Sequence, residues 1–170
     1  DGIGADPRRR LVTNSAGALE PARSPQLAHC YLLCVSSGSA IDRQSNNVSL
    51  FSLVEQINVP PRAPPPPNGL IPVEVHAYFM FASSELNRDF ELRYALSAET
   101  GLETLSDVFR HRASSQRFRV RTLGLPYPPV VGQYQLHVDF RVAGDESRWQ
   151  RQAAAWPIAL HELERRPKVT

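Results

Sequence analysis

Between Gln133 and Val142 apolar and polar residues alternate without a break. Tyr134, Leu136, Val138, Phe140 and Val142 fall on one side, and Gln133, Gln135, His137, Asp139 and Arg141 on the other. Such a series becomes one apolar row only in an extended strand, where successive side chains point to opposite faces. A row of that kind has to be covered, and the same period recurs along the chain. Val73, Val75, Ala77, Phe79 and Phe81 oppose Glu74, His76, Tyr78 and Met80. Phe90, Leu92, Tyr94 and Leu96 oppose Glu91, Arg93 and Ala95, and Phe118, Val120 and Thr122 oppose Arg117, Arg119 and Arg121.

The intervening segments fit an all-β chain. Residues 28–36 are short, apolar and partly aromatic, and read as a buried strand. Residues 38–47 have turn composition, and residues 48–57 return as a second strand with a bulge where the alternation slips, so the two form a hairpin. Residues 58–69 hold the prolines that define a polyproline II connector, read as a stiff crossover between sheets or, alternatively, as a docking segment. Residues 100–115 suggest a short helical turn or an irregular loop, and residues 124–129 break a strand. The last strand runs from about Trp149 to Leu160 with a bend at Pro157. Fifteen prolines argue against long helices, and no strand–helix–strand alternation appears. The expected fold is an antiparallel β-sandwich of about seven or eight strands, immunoglobulin-like or related, with at most one short helix. It should occupy residues 27–163, after a disordered or loosely packed leader at 1–26 and before a frayed tail at 164–170. Gly132-Gln133-Tyr134 follows a proline-rich corner, the setting in which sandwich tyrosines bond backbone through their hydroxyl.

Charge narrows the function. The net charge is only +2 over 170 residues, too small an excess for a dedicated nucleic-acid binder. No stretch approaches the roughly 18–20 apolar residues that span a bilayer. The basic cluster Arg8-Arg9-Arg10 is not followed by an apolar segment, so a cytoplasmic location is expected unless a signal was removed before residue 1. Asn47-Val48-Ser49 matches a glycosylation acceptor, read as chance in that setting. Cys30 and Cys34 should share a strand face about 13 Å apart, too far to bridge. Both are expected as buried small hydrophobes, with His29 on the opposite face.

The histidines at 29, 76, 111, 137 and 161 form no helical zinc pattern, and phosphate-loop and nucleophile-elbow motifs are absent from the sequence. No cofactor, metal site or catalytic residue is therefore expected. Two clusters stand out. His137 and Asp139 share a strand face and would suit a hydrolase or metal enzyme. Arg117, Arg119 and Arg121 form an outward row; if their strand pairs with residues 133–142, Arg141 and His137 join them in one cationic patch for an anion or an acidic partner.

Tyr31-Leu32-Leu33-Cys34, the segment 48–57 and Gly132-Gln133-Tyr134-Gln135-Leu136 resemble a bacterial family of small all-β proteins of unknown function. The resemblance spans roughly residues 28–160 and implies a bacterial, cytoplasmic protein. The proline connector and the Arg-rich leader depart from that pattern, and no catalytic residue carries over. The leading expectation is a non-enzymatic protein-interaction or assembly module. The alternatives are a polyanion- or carbohydrate-binding sandwich, using the Arg row with Tyr78 or Trp149, and the His137/Asp139 enzyme.

Overall fold

A computed structural model describes residues 28–59, 69–144 and 149–163. The expected leader, most of the proline connector and the tail beyond Leu163 lie outside the described residues. Ten strands are present: β1 (Ala28–Ile41), β2 (Val48–Leu53), β3 (Gln56–Val59), β4 (Leu70–Phe81), β5 (Asp89–Ala98), β6 (Glu103–Leu105), β7 (Phe109–Arg112), β8 (Arg117–Pro126), β9 (Gly132–Val142) and β10 (Gln150–Glu162). A three-residue 3-10 turn at Ser83–Glu85 is the one helical element among the described residues.

The strands form two sheets. The first is four-stranded, in the order β2-β1-β4-β8; the second is six-stranded, in the order β3-β10-β9-β5-β6, with β7 also on β5. Every pairing is antiparallel except β3 with β10. The apolar rows face each other as the alternation demands: Val75, Ala77 and Phe79 from the first sheet meet Phe90, Leu92, Leu136, Val138 and Phe140 from the second. Phe79, Phe81, Phe90 and Phe140 form a ring cluster with centroids 5.1–6.2 Å apart. The Tyr94 and Thr122 hydroxyls meet at 3.2 Å in this interior, a polar bond from one sheet to the other. The Tyr134 hydroxyl donates to the Val130 carbonyl at 2.6 Å, which is the corner bond its motif predicts.

Several details differ from the sequence reading. Three of the ten strands were not separable by alternation. The slip within residues 48–57 is a change of sheet: β2 pairs with β1, while β3 crosses to β10. The crossing is held by Trp156 Nε1 donating to the Val54 carbonyl at 2.8 Å. Residues 100–115 are neither helix nor plain loop; β6 and β7 take up successive parts of one edge of β5. Too short to show a period, they are fixed by their neighbour.

The cysteines do not share a face. A bulge between Cys30 and Leu32 puts Cys30 opposite Phe79, in the core, and Cys34 opposite His76, on the outer face of the sheet, though both thiols are buried as expected. The Cys30 amide, released from regular pairing, donates to Gln152 Oε1 at 3.0 Å, and Gln152 lies in the matching irregularity of β10 between Arg151 and Ala155. β10 bends there and passes through Pro157 in register with Gln135. The Ala159 amide points away from β9, to the Glu55 carbonyl. Pro157, two residues earlier, would point its nitrogen the same way, where β3 has not yet begun, so no ladder bond is lost. β8 likewise runs through Gly124. That residue has φ +87°, and a Cβ there would stand 3.0 Å from Leu70 Cδ1, so glycine is required. Pro72 sits in the facing irregularity of β4, between Ile71 and Glu74.

Candidate functional site

Strand partners place side chains on a common face. On the outer face of the four-stranded sheet the register gives successive rows: His29, Met80 and Arg117; Leu32, Tyr78 and Arg119; Cys34, His76 and Arg121; then Leu53, Ser36, Glu74 and Leu123. All three arginines of the 117–121 row lie on this face. Arg141 and His137 do not join them. β8 pairs with β4, not with β9, so those two residues lie on the outer face of the other sheet. Alternation fixes which side a residue faces but not which strand lies beside it, which is why the combined cationic patch does not form.

The two outer faces differ in how their charges are arranged. On the six-stranded sheet they are mutually paired. Asp139 is buried at 3 % exposure and accepts from Arg93 Nε at 3.2 Å and Arg151 Nε at 2.9 Å. Arg151 also reaches Glu103 at 2.7 Å, and Arg141 reaches Glu91 at 2.7 Å. Trp149 lies between Arg93 and Arg141, whose guanidinium carbons stand 4.5 and 4.3 Å from its ring centre. His137 lies in a cleft of about 330 Å³ with Ser97, Glu99, Gln135 and Pro157. Burial, and the positive charge of Arg151, push its pKa below the usual imidazole value. Asp139 is thus engaged by two guanidinium groups, and the described residues hold no cluster of three or more His, Cys, Asp or Glu suited to a metal ion.

On the four-stranded sheet the centre is paired and the margin is not. Glu74 accepts from Arg121 Nη2 at 2.5 Å and from the Ser39 hydroxyl at 2.6 Å. Burial would raise its pKa, but those two bonds outweigh it and hold the carboxyl below its usual range. His76, only 1 % exposed, has Nε2 3.0 Å from Ser36 Oγ and 3.4 Å from Glu74 Oε2. Ser36 donates its own hydroxyl to the Gly38 carbonyl, so His76 Nε2 carries hydrogen; Nδ1 is buried without a partner. A serine–histidine–carboxylate relay needs the carboxylate on the other ring nitrogen and a hydroxyl open to substrate. Here both oxygens meet one nitrogen and Ser36 is fully buried. The cluster works as a clasp. Ser39 belongs to the β1–β2 hairpin, and Asn46 at its tip comes within 3.5 Å of Arg119 Nη2, so the hairpin bends back over the sheet.

Beside the clasp, Arg117 and Arg119 have no carboxylate partner among the described residues, in contrast to Arg121. They border an open cleft of about 320 Å³ with Tyr31, Tyr78, Asn46 and Ser115. Beside it stand the exposed apolar side chains of Leu32 and Met80, and Leu53 and Leu123, the last 67 % exposed, lie on the same face beyond the clasp, in the row of Glu74. Tyr31 and the clasp residues other than Arg121 were not singled out as site residues in the sequence. The outward row Glu74, His76, Tyr78 was visible there, but its meeting with β1 and β8 depends on sheet order.

No helix among the described residues is long and apolar enough to cross a membrane. No protein-family model matches the chain, and no curated protein matches it in sequence.

Proposed function

We propose that the domain is a non-enzymatic interaction module that docks an acidic segment of a partner protein on the outer face of its four-stranded sheet. The observation that carries this reading is the contrast between the two faces. Carboxylates of the six-stranded sheet neutralise the arginines beside them, whereas Arg117 and Arg119 stand without a carboxylate partner beside exposed Tyr31, Leu32 and Met80. Large apolar side chains beside unpaired arginines match the make-up of protein-binding patches, in which aromatic residues, methionine and arginine are enriched. Unpaired positive charge selects for an acidic partner and speeds its encounter.

Capture of partners from extract of the source cells tests the reading. An Arg117→Glu/Arg119→Glu variant should lose the captured protein, while Arg110→Glu/Arg112→Glu, which changes the other sheet, should keep it. Equal capture by all three forms, or no captured protein with an acidic binding segment, would overturn the assignment.

A further inference from the structure

We infer that the cleft between β1, β4 and β8 is a binding site for a phosphate monoester dianion. The inference rests on the same face as the proposed docking function but concerns a small-anion site within it. Arg117 and Arg119 are two residues apart on one side of β8, about 7 Å along the strand, so their forks can converge on one group. Each guanidinium is permanently charged and offers several N–H donors. The phenols of Tyr31 and Tyr78 add two hydroxyls, and their rings, 6.1 Å apart and tilted by 59°, form one wall.

No carboxylate is among the described residues that line the cleft, and the nearby Glu74 is already committed to Arg121, Ser39 and His76. Two unopposed positive charges match a dianion better than a single carboxylate. A phosphate monoester carries about −1.5 to −2 charge and three terminal oxygens at neutral pH. Those oxygens suit two forked donors plus two hydroxyls, a set that exceeds what two carboxylate oxygens accept in good geometry. The clasp contributes by position: it holds the hairpin so that Asn46 closes one side of the cleft against Arg119. The aromatic wall adds an apolar surface for whatever carries the phosphate.

Titration of the full chain by NMR or calorimetry, at fixed ionic strength, tests this with inorganic phosphate, phenyl phosphate, a phosphoserine peptide and acetate. Saturable phosphate binding is expected, with acetate weaker by about tenfold or more. Arg117→Ala and Arg119→Ala should each weaken phosphate binding by a similar factor, and Arg110→Ala should leave it unchanged. Preference for phenyl phosphate over the peptide would mark a small-molecule ligand, and the reverse a modified side chain; either supports the site. Acetate binding equal to phosphate, no phosphate binding, or equal binding by the folded Arg117→Ala/Arg119→Ala variant would overturn it. Partner capture that persists while phosphate fails would remove this site and leave the docking reading intact.

Discussion

The Tyr134 hydroxyl donates to the Val130 carbonyl at 2.6 Å and ties the start of β9 to the loop before it. Gly132 precedes it with φ +153°, and the ring itself is packed in the core. Removing the hydroxyl leaves a carbonyl without its partner while the ring still fills its space. Tyr134→Phe should therefore cost about 0.5–1.5 kcal/mol, read as a lower urea midpoint with an unchanged denaturant slope.

The ring cluster between the sheets should be far more sensitive. Phe79 touches Phe81, Phe90 and Phe140 and is fully buried. Phe79→Ala should cost about 3–5 kcal/mol, and Phe79→Leu much less, by the same equilibrium unfolding measurement.

Gly124 offers a backbone test. Its left-handed φ and its closeness to Leu70 both oppose a side chain. Gly124→Ala should destabilise by about 1–2 kcal/mol or more. Pairing Gly124→Ala with Leu70→Ala should recover only part of the steric cost, because the Cβ of residue 70 would still stand 3.1 Å away, and should leave the conformational part.

Acid should weaken the fold in two stages. Burial depresses the pKa values of His76, His111 and His137 below the usual 6.5. For His76 the neighbouring Arg121 and Arg119 add to this, and Glu74 opposes it. The unfolded chain then binds protons that the folded chain refuses, so stability falls as pH drops below about 6.5. Glu74, Asp89 and Glu103 have depressed pKa values, so their contribution is lost only below the ordinary carboxylate range. Thermal melting across pH 5 to 7 should show the first stage, and His111→Phe should flatten it.

These tests also show which features can be read from residues alone. Period-two rows placed β4, β5, β8 and β9 and their buried faces because each strand is long and covered on one side. The corner bond of Tyr134 was legible because glycine, tyrosine and the proline-rich corner are all local. The sheet switch at Val54, the Cys30 bulge and the β6–β7 edge were not, since each is set by a partner distant in sequence. The site shows the same division. Arg117, Arg119 and Arg121 were visible as a row, but their neighbours are Met80, Tyr78 and His76 rather than Arg141 and His137.

The unequal faces of the two sheets are best compared by hydrogen exchange on the domain with and without its captured partner. Slowed exchange should concentrate in residues 29–34, 78–81 and 117–123, with β9 and β10 unaffected. Slowed exchange centred on β9 and β10 instead would contradict the docking face assigned to this protein.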